Sequence, residues 1–195
     1  MRVNSLARFV LRVLAWLPLT FAVWYLAAPL LAWPVAIIAE IVTRTAFGDL
    51  VRSVEQHGAL LTFVTSLEIP QGMAKTGGRA VLSVDSNVLL FSFGLPLLAA
   101  LILAADEPRR VRNVLLGYAI LLPFQSFGVV ADFLKNVTIL AGPALASQTN
   151  FTAFQREIVA FSYQFGTLIL PTVVPAITWV LMHRRFLERF AGRET

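Results

Sequence analysis

Polar and apolar positions divide this chain into long charge-free runs and shorter, more polar stretches. Four charge-free runs stand out: Val13–Ala39, Asn87–Ala105, Val114–Ala131 and Ile158–Met182. About 20 apolar residues in a helix cross the roughly 30 Å hydrocarbon core of a bilayer. The pattern predicts four transmembrane helices, at about 13–33, 87–105, 114–131 and 158–182. The first run follows Arg2, Arg8 and Arg12. A cleaved signal peptide has an apolar core of only about 7–15 residues, so this longer run reads as an uncleaved signal anchor. A straight helix over the whole run would be about 40 Å long, which predicts either a tilt or a break near Pro29 to Pro34.

The polar stretches carry their own periodicities. Pro34 suits the first turn of a new helix. After it Val35, Ile38, Ile41, Val42, Val51 and Val54 recur at helical spacing among Glu40, Arg44, Asp49, Arg52 and Glu55. That is the pattern of an amphipathic segment over 34–56 lying on a membrane surface, with Gly48 as an interruption. Over 59–86 the period changes to two. Leu61, Phe63, Leu67 and Ile69 alternate with Thr62, Ser66 and Glu68; "PQGMAKTGG" supplies turn formers; "RAVLSVD" alternates again. Two alternating runs around a glycine-rich connection predict a β-hairpin. An isolated hairpin is marginal in water, so Phe63, Leu67, Leu82 and Val84 are expected to pack it onto the rest of the molecule. In "VLSVDSNVLLFSFGLPLL" the second strand feeds directly into the second span. The stretch 132–157 reads as an interfacial loop.

Composition settles the class. Of 195 residues, 57% are hydrophobic and 14% charged, against about a quarter charged in a soluble domain. The mean hydropathy is +0.75. The chain is read as an all-α integral membrane protein, one membrane domain over 1–195, with four transmembrane helices and a small extracytoplasmic β-hairpin. Its net charge of +5 does not indicate nucleic acid, because the basic residues flank the apolar runs, where they set topology. Arg2, Arg8, Arg12, Arg109, Arg110, Arg112, Arg184, Arg185, Arg189 and Arg193 fall in short segments on one side of the predicted spans. The other side holds only Arg44, Arg52, Lys75, Arg79, Lys135 and Arg156, spread over longer segments. The positive-inside rule then predicts cytoplasmic termini, with the hairpin and the 132–157 loop outside.

Candidate chemistry is sparse. There is no cysteine, which removes disulfides, thiol nucleophiles and thiolate metal sites. His57 and His183 are predicted on opposite membrane faces and cannot share a metal or a relay. Ser92, Ser126 and Ser162 have no histidine or lysine in the same predicted layer to activate them. No cofactor motif is present, and the four spans lack the ionisable groups of an ion-coupled pump. Asp132 and Lys135 are positioned to pair at the end of the third span. The polar residues Asn87, Ser92, Gln125, Ser126, Ser162, Gln164 and Thr167 cluster toward the outer half of the last three spans. They form either an interhelical hydrogen-bonding seam or a groove for an extended peptide or lipid headgroup. Pro96, Pro123, Pro171 and Pro175 free backbone carbonyls within the spans.

The basic anchor running into "WLPLTFAVWY", the alternating strands after it, and "SNVLLFSFGLPLLAAL" with Asn87 ahead of Gly94-Leu95-Pro96 resemble the exosortase H-associated membrane proteins. The resemblance implies a bacterial inner-membrane protein working beside an exosortase, a transpeptidase-like enzyme that sorts surface proteins. It also implies that this chain is not that enzyme, which uses cysteine, arginine and histidine.

The leading expectation is a non-catalytic accessory or scaffold for a membrane-embedded partner, with membrane lipid around it. A small transporter or channel built by homo-oligomerisation is the second class. The third is a lipid-acting membrane enzyme using Asp132 or Glu157.

Overall fold

A computed structural model describes residues 2–70, 80–105, 108–184 and 188. The glycine-rich connection 71–79 and Arg185, Arg189 and Arg193 lie outside the described residues. The chain opens with helix α1 (Arg2–Leu26) and helix α2 (Ala28–Ala46). They meet at Ala27, where Ala27 N donates to Val23 O and Leu31 N to Ala27 O. Pro29 sits in the first turn of α2. Lacking an N–H, it cannot continue the ladder of α1, so the break falls two residues before it. The second helix therefore starts at Ala28 rather than at Pro34, which is accommodated within α2.

The chain then folds into a three-stranded antiparallel sheet, β1 (Val51–His57), β2 (Leu60–Glu68) and β3 (Val81–Asn87), with β2 central. The expected hairpin is β2–β3. The helical reading of 34–56 holds only to Ala46, and the remainder includes β1. A register shift between Val51 and Ser53 brings Val51 into the core and packs Val54 against it. Two core contacts three residues apart imitate a helical spacing. A second irregularity lies between Val64 and Glu68. There the Thr65 hydroxyl donates to Leu82 O at 2.7 Å, and Leu67 N donates back to that hydroxyl at 3.2 Å.

Asn87 ends β3. Its Oδ1 accepts from Leu89 N at 3.0 Å, while Val88 N donates to Ala59 O. The side chain thus turns a strand into a helix within two residues. The chain continues as α3 (Leu89–Ser92) and α4 (Gly94–Ala104). Helix α5 (Arg110–Lys135) passes without interruption into a π-helical turn over Asn136–Leu140. The stretch 132–157 is therefore largely helical. It lacks a helix breaker before Gly142, whose positive φ provides the turn into α6 (Pro143–Ala146). The Gln148 side-chain amide pairs with both backbone groups of Glu68, tying this region to the end of β2. A Thr152–Gln155 capping box starts α7 (Ala153–Gln164), which continues through a π-helical turn over Phe165–Ile169 into α8 (Leu170–Met182).

Four helical segments are long and apolar enough to cross a membrane: Leu6–Leu26, Ala28–Ala46, Arg110–Leu140 and Ala153–Met182; Leu89–Ala104 is a shorter apolar helix. Two cores stack along α5. One joins α2, the sheet and the later half of α5 through Val35, Leu61, Phe63, Leu67, Val84 and Phe133, with Leu82 packed against it. The other joins Leu95, Leu98 and Ile102 of α4 to Leu121 and Trp179. Phe9 stacks on Trp179 at 5.6 Å, so the start of α1 lies beside the end of α8, remote from the sheet. On α1 the apolar residues Leu6, Leu11, Leu14, Leu19 and Leu26 are all exposed. In water this would be a large uncompensated apolar surface; in hydrocarbon it is matched to its solvent.

Candidate functional site

The joint between sheet and helices is polar and buried. Alternation along β3 turns Val84 and Ser86 to the same face. Ser86 is 1% exposed, and its hydroxyl donates to Asp132 Oδ2 at 2.8 Å. On α5, Lys135 lies one helical turn beyond Asp132, and its Nζ donates to Asp132 Oδ1 at 2.8 Å. Asn136 adds two weaker contacts, to Asp132 O at 2.9 Å and Oδ1 at 3.3 Å. The ammonium also stands 3.6 Å from the centre of the Tyr163 ring on α7. One carboxylate thus links strand, helix and the neighbouring helix. Both its oxygens already hold donors, which suits a structural pin rather than an acid–base catalyst. The Asp132–Lys135 spacing was legible in the sequence. Ser86 and Tyr163 were not, because they reach the pair only through the tertiary packing. Directly beneath the pin, Phe63 stacks on Phe133 with ring centres 4.5 Å apart.

The residues of the expected polar seam fall in different environments. Asn87 is used by the turn into α3. Ser92 is buried and accepts from Trp24 Nε1 at 3.2 Å. Gln125 and Ser126 are buried in the bundle, and neither side chain has a hydrogen-bond partner among the described residues. Ser162 lines an apolar pocket of about 300 Å³ between Phe47, α5 and α7, whereas Gln164 is exposed. Of the six, Gln125 and Ser126 alone are adjacent and enclosed. The hairpin residues Phe63, Leu67 and Val84 are buried, with Leu82 half-buried beside them.

A second pocket, of about 360 Å³, lies between the Asn136–Gly142 segment and α7 and carries Arg156 and Glu157. His57 is exposed on β1, and His183 is buried at the far end of α8. Among the described residues no group of three or more His, Asp or Glu is placed to hold a metal ion.

Outward from the joint the sheet presents a polar face. Glu55, Thr62 and Asp85 occupy one row across the three strands, and the Thr62 hydroxyl donates to Asp85 Oδ1 at 2.6 Å. Apolar helices joined by a buried pin to a sheet with a polar outer face define an integral membrane protein with a small, rigidly attached polar module. The model of the exosortase H-associated membrane protein family matches residues 3–186, and the chain belongs to that family. The family description associates it with exosortase H. No curated protein and no solved structure matches the chain.

Proposed function

We propose that this protein is a non-catalytic accessory or scaffold for an exosortase-type protein-sorting enzyme in the bacterial inner membrane. Its termini are cytoplasmic and the sheet stands on the opposite side, a reading supported by the distribution of arginine along the chain. The observation that carries the proposal is the attachment of the sheet. Through Ser86–Asp132 and Phe63–Phe133 it is fixed to α5 instead of hanging on a flexible tether. A fixed module holds its outer face at a defined height and angle above the membrane, as a subunit that positions a partner must. The polar row Glu55–Thr62–Asp85 offers a hydrated contact face, and Gln125 with Ser126 an internal polar seam.

The test is a pull-down of the tagged full chain from its native membrane in gentle detergent, with protein identification and a mass for the complex. A stoichiometric exosortase supports the proposal. A pure homo-oligomer would transfer the weight to an oligomeric transporter or channel, for which solute flux is the next assay.

A further inference from the structure

The beginning of α7 holds an arginine without an acidic partner. Arg156 Nη2 donates to Phe151 O at 2.9 Å, while its Nε is buried and has no hydrogen-bond partner among the described residues. Neither Arg156 nor the adjacent Glu157 joins an ion pair among the described residues. Both line the pocket of about 360 Å³ whose other walls include Thr138, Ile139, Pro143 and Ala160. The enclosed Nε is out of reach of the pocket, but Nη1 is not enclosed and makes no hydrogen bond among the described residues; a ligand oxygen in the pocket would give it an acceptor.

The location specifies the ligand. The charge-free run Ile158–Met182 begins at the residue after Glu157. In a chain that spans a bilayer, that border between charge and hydrocarbon lies at the depth of the lipid headgroups. Leu140, next in sequence to the lining residue Ile139, is 64% exposed, and Leu168 in the π-helical turn after α7 is 69% exposed. These are surfaces for acyl chains. A guanidinium fork matches the oxygens of a phosphate. A carboxylate in the same pocket repels a second anion and attracts an ammonium. One cation and one anion lining a single pocket complement a zwitterion that carries both groups.

We propose that the pocket between the Asn136–Gly142 segment and α7 binds the phosphoethanolamine headgroup of a membrane phospholipid. The phosphate sits on Arg156 and the ammonium on Glu157. The inference needs the chain to span a bilayer but not to bind an exosortase, so either can fail without the other.

The experiment is native mass spectrometry of the full-length protein in detergent, given equal amounts of phosphatidylethanolamine, phosphatidylglycerol and phosphatidylcholine. Wild type is expected to retain phosphatidylethanolamine above the other two. Arg156→Gln should reduce retention of all three by about tenfold, the loss of roughly one charge-assisted hydrogen bond. Glu157→Gln, an exposed position, should leave the fold intact and abolish the preference for phosphatidylethanolamine over phosphatidylglycerol. Arg156→Lys keeps the charge without the fork and should fall between wild type and Arg156→Gln; thermal unfolding checks that each variant is folded. Equal retention of the three lipids by wild type, or an unchanged ranking in a folded Glu157→Gln, would overturn the site. Soluble O-phosphoethanolamine binding as tightly as the lipid would overturn the assignment to a bilayer ligand.

Discussion

Gly94 lies directly against the carbonyl oxygen of Pro171: a Cβ built on the glycine would stand 2.0 Å from it and 2.4 Å from Cγ of Pro175. Pro175 has no N–H to bond the Pro171 carbonyl one turn back, so that oxygen is left to the neighbouring helix. The missing side chain at 94 lets α4 and α8 meet backbone to ring. Gly94→Ala should force the helices apart and destabilise the protein by about 1–3 kcal/mol. Gly94→Val should do more. Thermal unfolding in a mild detergent reads both, and an unchanged midpoint in Gly94→Val would refute this contact.

Asp132 is the second test. Asp132→Ala removes the acceptor of Ser86 and strands Lys135, whose side chain is 17% exposed. Removing one partner of a buried pair costs about 3–5 kcal/mol. The double variant Asp132→Leu with Lys135→Met removes both charges and should recover much of that loss. Equal destabilisation in the single and double variants would mean that the pair is not what matters at this position.

Phe63→Ala empties the space over Phe133 and should cost about 3–5 kcal/mol. The specific expectation is local. Hydrogen exchange should quicken in β2 and around Phe133 while α4 and α8 stay protected. Uniform loss of protection would show that sheet and bundle unfold as one unit.

The proposed orientation is open to direct labelling, since the chain has no native cysteine. A single cysteine at Ala144, an exposed position, should react with an impermeant reagent added outside, and one at Asn113 should not. The opposite pattern would place the sheet in the cytoplasm and remove it as an external contact face.

If the outer row of the sheet meets a partner, Glu55→Lys with Asp85→Lys should reduce recovery of that partner without lowering thermal stability. Surface charge reversals away from buried networks usually change stability by no more than about 0.5 kcal/mol. Undiminished capture by this variant would move the contact to the membrane-embedded surface.

The sequence was most informative where one period ran undisturbed. The alternation through Leu61, Phe63 and Leu67 indicated β2, and the charge-free runs indicated apolar helices. It misled where two periods overlapped. The bulge in β1 spaced Val51 and Val54 like helical residues, and Pro34 resembled a helix start although Pro29 occupied the first turn. The Thr152–Gln155 capping box was a local signal, readable from a threonine and a glutamine three apart, that would have placed the start of α7 ahead of Ile158.

By itself the sequence determined the class, the apolar helices and the ladder of β2 with β3, because hydropathy and periodicity are properties of neighbouring positions. Only the tertiary structure decided that Ser86 meets Asp132 across 46 positions. It also decided that Lys135 covers Tyr163, that the seam residues separate into distinct environments, and that Arg156 and Glu157 line one pocket. Those relations depend on how strands and helices pack, and a local pattern constrains which face is buried without naming the residue that will lie opposite.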